Sequence, residues 1–168
     1  SSIDLNPSLI SIMQTVKDYK IWIAGIIGSA LFGSFLPIIT FWEPYLLETC
    51  NLTITESGFI TSIGWFGLAI GSPITSYFAE TFFSKIAILS FCIILESALI
   101  AFFTLVSNAL SLTIISFLCG FCAGAHMITF SLNQTQPNQI ATASSIINFI
   151  ISDGECVFVY SQISSRSL

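Results

Sequence analysis

From Gly58 to Ala79 the chain runs for more than twenty residues without a charge, GFITSIGWFGLAIGSPITSYFA. At 1.5 Å rise per residue a helix of this length covers about 30 Å, the thickness of the hydrocarbon core of a bilayer. The stretch therefore reads as a membrane span. Gly67 and Gly71 form a small-xxx-small pair, and Gly64 stands one turn earlier on the same face. Such a face lacks side chains where a neighbouring helix backbone has to come close. Pro73 then lacks a backbone donor, and the polar turn Ala79 to Lys85 returns the chain to water.

The rest of the chain repeats the pattern. Hydrophobic residues make up 54% of the 168 positions and charged residues 8%, against about 25% charged in a soluble domain. The expected fold is all-α: a polytopic membrane bundle of about five helices, spanning 21–42, 58–79, 86–106, 110–132 and 141–160. A surface segment over 1–20, amphipathic around Leu9 to Val16, precedes the bundle assigned to 21–163, and a polar tail over 164–168 follows it. The first span, with Trp22 and Trp42 at its ends, is expected to kink at Pro37, and Glu43 to Glu56 reads as a polar link. In the fourth span Gly120 and Gly124 repeat the close-packing spacing, with His126 deep in the same run. The fifth run weakens at Asp153, Gly154 and Glu155.

Orientation rests on few cations. Lys17 and Lys20 precede the first span and Lys85 lies between the second and third, so these three agree on one face. The positive-inside rule then puts the N-terminus in the cytoplasm, with Arg166 dissenting; the membrane expected is the plasma (inner) membrane.

Five cysteines, an odd number, include three inside spans, where they behave as small apolar residues. Cys119-Gly-Phe-Cys122 with His126 has the spacing of a dithiol or soft-metal site. Redox dithiols open a helix at an exposed terminus, however, and this one is mid-span. Neither a metal nor any other cofactor is expected. No phosphate-cradling loop or nucleophile elbow occurs, which speaks against an enzyme. A net charge of −5 without a basic stripe speaks against a nucleic-acid partner.

Several motifs together resemble the C-terminal six-helix half of a major facilitator superfamily transporter. They are Gly64-Trp65, Gly71-Ser72-Pro73, and a following loop in which Glu80 stands for the acid and Lys85 for the last cation. Ser76, Thr81, Phe83 and Ser84 replace the glycines and arginines of that loop. Tyr19 to Trp22, Phe41 to Leu46, Phe117 to Gly124, and Ala141 to Asn148 match as well, covering most of 20–150. The resemblance implies helices seven to eleven of a twelve-helix carrier, from a truncated, split or frameshifted frame. It also implies alternating-access transport of a small solute, coupled to protons, with a separate six-helix half or a second copy as partner. A non-transporting membrane remnant or scaffold is the alternative.

Polar groups inside spans are the candidate site residues, because each is costly in lipid. Glu43 reads either as a proton-linked gate carboxylate or as an interfacial acid. His126 reads as a substrate or proton group, by the cavity-lining place the resemblance gives its helix, or as an interhelical hydrogen-bonding partner. Trp65 and Asn148 are open to cavity lining or to packing between helices. The resemblance assigns Gly71, Pro73, Glu80 and Lys85 to a cytoplasmic gate, and spacing assigns Gly64, Gly67, Gly120 and Gly124 to helix packing. Glu96, mid-way along the third span, is protonated, paired or merely tolerated.

Overall fold

The computed structural model describes residues 15–132 and 141–153. Expectations for 1–14, 133–140 and 154–168, including Leu9 to Met13, Pro137, Cys156 and Arg166, lie outside the described residues.

Helix α1 (Tyr19–Glu48) starts at Asp18, whose carboxylate accepts the Lys20 amide hydrogen at 3.0 Å. It runs through both Pro37 and Pro44 without ending, thirty residues and about 45 Å long. The polar link expected from Glu43 is thus helical as far as Glu48, because Leu46 is wholly buried and holds this last turn onto the core. Trp42 consequently lies inside the helix, buried and stacked on Phe103 at 4.1 Å, and not at an interface end.

A short turn follows in which Asn51 takes φ 52°, a left-handed conformation that asparagine tolerates better than most residues. Helix α2 (Ile54–Thr81) opens with a capping box: Thr53 Oγ1 accepts the Glu56 amide hydrogen at 3.3 Å, and the Glu56 carboxylate accepts that of Thr53 at 2.9 Å. These polar residues looked like loop but are the start of the helix. Pro73 is inside α2 as well. A tight turn at Phe82 and Phe83 leads to α3 (Lys85–Phe103), capped by Ser84.

Asn108 caps α4 (Ala109–Ala123). A 3-10 turn, Gly124–His126, joins it to α5 (Met127–Leu132), so the fourth span is one 24-residue helical segment with a tightened turn inside. Residues 141–153 form α6. Its described part rises about 20 Å, short of a full crossing. The end of the span expected over 141–160 lies outside the described residues.

Four segments, Tyr19–Glu48, Ile54–Thr81, Lys85–Phe103 and Ala109–Leu132, are long and apolar enough to cross a membrane. Their outward faces carry exposed Ile26, Phe59, Phe66, Phe91, Ile94 and Phe102. Helices that are apolar inside and outside alike suit a lipid solvent. The interior divides into three clusters. One, around Phe35, Trp42, Leu46, Ile60, Phe103 and Leu112, gathers the α1–α2 and α3–α4 turns at one end of the bundle. A second, around Ala79, Leu89, Cys92, Cys122 and Ile128, reaches towards the other end. The third packs Ile147 and Ile151 of α6 on Ile21 and Ala24 of α1. Short turns and alternating ends give an up-and-down bundle.

Candidate functional site in the bundle interior

The seam between α2 and α4 positions everything near it. A Cβ built at Gly67 would fall on the Phe117 carbonyl, one at Gly71 on that of Phe121, and one at Gly120 on the Gly64 carbonyl. At Gly124 the Ser72 amide nitrogen would be 2.5 Å away. The backbones of the two helices are therefore in contact over most of their crossing. Ser116, buried in this seam, donates to the Ile60 carbonyl at 2.7 Å.

The 3-10 turn of the fourth span follows directly after this contact. Gly124 is pressed against α2, and the chain tightens for one 3-10 turn before continuing as α5. His126 closes that turn and is 7% exposed. Its Nδ1 lies 2.8 Å from the Ala123 carbonyl, so Nδ1–H donates there and Nε2 remains for another partner. The Phe32 ring of α1 covers the imidazole with 4.6 Å between centroids. Thr129, fully buried, donates to the His126 carbonyl and so secures the far side of the turn. A histidine held in one orientation at an irregular, buried turn is a group that can bind a polar atom or exchange a proton.

The other sequence candidates do not converge on it. Glu43 is exposed on α1. Asn148 is exposed on α6. Trp65 is 41% exposed and meets Phe35 edge to face at 5.7 Å. In the gate group, Gly71 is part of the α2–α4 seam, while Pro73 and Glu80 are exposed. Lys85 donates to the Ser131 carbonyl at 2.8 Å, tying the start of α3 to the end of α5; no ion pair joins it to Glu80.

A second buried polar group lies in the same interior. Glu96 of α3 is 2% exposed, and its Oε1 is 3.1 Å from Ser34 Oγ of α1. An acidic group at the centre of a span costs roughly 2.5 to 3.5 kcal/mol on insertion scales, so its burial needs a partner. Glu96 stood out in the sequence as an anomaly. Ser34, sixty-two positions away, did not, and neither did Phe32 or Thr129; serines and phenylalanines occur throughout these spans, and only the packing singles these out.

A cavity of about 510 Å³ opens between α2 and α3, lined by Ile74, Phe78, Phe83, Ile88, Phe91 and neighbouring residues. Its walls are almost wholly apolar, and the Thr75 hydroxyl on them is already bonded to the Gly71 carbonyl at 2.8 Å. Such a space has nothing to orient a polar solute. Among the described residues no three His, Cys, Asp or Glu side chains come together to hold a metal ion.

No family model matches the chain, and neither a curated protein nor a solved structure matches it. Among the described residues the chain is all-α, with four helices whose length and apolar character suit a multi-pass membrane protein in a lipid bilayer.

Proposed function

We propose that the chain acts in transmembrane transport of a small solute, as part of a secondary carrier of the major facilitator type working by alternating access. One observation supports this most: the fourth span tightens into a single 3-10 turn at Gly124–His126, and a buried histidine sits there. A 3-10 turn inside a longer helix often marks a functional position, and an ionisable group inside a membrane-suited span is by default a candidate for a substrate or proton pathway. His126, with Nε2 free of any hydrogen bond among the described residues, is the group we assign to the solute or the coupled proton.

In this reading the exposed faces bearing Glu43, Trp65 and Asn148 line the contact with a second bundle, either a separate six-helix half or a second copy of this chain. The turn between α2 and α3, with Glu80 and Lys85, faces the cytoplasm across the inner membrane. The protein performs no covalent chemistry and needs no cofactor.

Uptake of a panel of labelled nutrients into vesicles carrying an inward proton gradient tests the proposal. Wild type is expected to accumulate a solute, and His126→Ala to reduce that uptake at least tenfold. Glu43→Gln is expected to lower its dependence on the gradient. Uptake unchanged in both variants removes these residues from the pathway. A folded protein that moves nothing, with or without a partner bundle, overturns the transport reading in favour of a non-transporting scaffold.

A further inference from the structure

We propose that Glu96 is a proton-binding site inside the bundle, held between α1 and α3 as the neutral acid with its hydroxyl donated to Ser34. The inference stands apart from the transport reading, since it depends only on the surroundings of this carboxyl.

Ser34 supplies the first argument. Its Oγ lies 2.7 Å from the Ala30 carbonyl, 3.0 Å from that of Leu31 and 3.1 Å from Glu96 Oε1. A serine hydroxyl has one hydrogen and two lone pairs. Were Glu96 ionised, it could only accept, and the single Ser34 hydrogen would have to leave the two helix carbonyls to reach it. With the acid protonated both needs are met: Glu96 donates to Ser34 Oγ, and Ser34 donates to the closer carbonyl, Ala30. The distances fit a chain of two hydrogen bonds that starts on the acid and ends on the α1 backbone.

The surroundings supply the second. Glu96 lies eleven residues from Lys85 along α3, about 16 Å at 1.5 Å per residue. The Lys85 ammonium is occupied by the Ser131 carbonyl. Lys17 and Lys20 are exposed at the mouth of the bundle. No cation among the described residues is therefore placed to neutralise a carboxylate here. The titratable groups that do face Glu96 are thiols: Cys92 on its own helix, and Cys119 and Cys122 on α4. On α2, Glu56, Tyr77 and Glu80 are all exposed. In α1, Glu43 and Glu48 are exposed near the far end. His126, in the fourth span, has its Nδ1 on the Ala123 carbonyl and its ring against Phe32. Thiols offer no positive charge, and an unpaired carboxylate in such a place is far costlier than the acid.

Loss of the proton to water or hydroxide would leave a carboxylate that takes the Ser34 hydrogen from the α1 backbone and draws water into the seam. The site thus links one proton to the contact between α1 and α3.

Infrared spectroscopy of the full chain in lipid vesicles at neutral pH tests this. Wild type is expected to show the carbonyl stretch of a protonated carboxyl, and Glu96→Gln to lose it. Ser34→Ala, which keeps the acid but removes its acceptor, is expected to shift that band to higher frequency. Identical spectra for wild type and Glu96→Gln would overturn the proposal. If Glu96→Gln does not fold, the remaining measurements decide: a band that Ser34→Ala leaves unmoved, or one that converts to carboxylate below neutral pH, overturns it equally.

Discussion

At the scale of single residues the interior contains one hydroxyl that is worse than nothing. Ser57 is fully buried in the first turns of α2, and its Oγ has no hydrogen-bond partner. A buried hydroxyl left unmatched costs about 1 to 3 kcal/mol, and alanine is the better helix former and lacks that cost. Ser57→Ala is expected to stabilise the fold by about 1 kcal/mol, read as a higher melting temperature in detergent micelles. Gly120 is the opposite case. Any Cβ there meets the Gly64 carbonyl, which is backbone and cannot rotate away. Gly120→Leu is expected to destabilise by about 3 kcal/mol in the same measurement, through forced separation of α2 and α4. The glycines were legible in the sequence by their spacing of three and four. Ser57 was not, because one serine among many says nothing of its partner until the neighbouring helices are in place.

At the scale of elements, the ends of the helices were harder to read than their middles. Hydropathy locates oil-soluble runs, whereas helices end where caps are. Thr53 and Glu56 are polar, so they read as link, yet the capping box makes them the beginning of α2. Glu43 likewise looked like an end, although α1 continues until Leu46 has reached the core. The 3-10 turn at Gly124–His126 left no mark in composition, since Gly-Ala-His is compatible with a regular α-helix. It coincides with the close contact of Gly124 with α2. Thr53→Ala removes the cap and is expected to cost about 1 kcal/mol. The loss should appear as faster hydrogen exchange confined to the first turn of α2, with the middle of the helix unchanged.

At the scale of the whole molecule, the up-and-down order can be tested from outside. The α1–α2 turn and the α2–α3 turn lie at opposite ends of the bundle. Cysteines introduced by Asn51→Cys and Ser84→Cys in sealed vesicles, with the native exposed thiols blocked or replaced, are expected to react with an impermeant maleimide from opposite sides. Labelling of both from one side would refute the arrangement. Four of the about five apolar runs expected from the sequence are helices long and apolar enough to cross a membrane, because lipid constrains a chain more severely than water does. What packs against what did not follow, since in these spans every face is apolar and hydropathy cannot tell lipid-facing residues from inward-facing ones.

The contact of α2 with α4 carries one more consequence. Two backbones that touch along successive turns have no side chains between them to re-pack, so they cannot slide or tilt independently and behave as a single rigid body. A covalent staple across that pair would therefore add little constraint that the packing does not already impose.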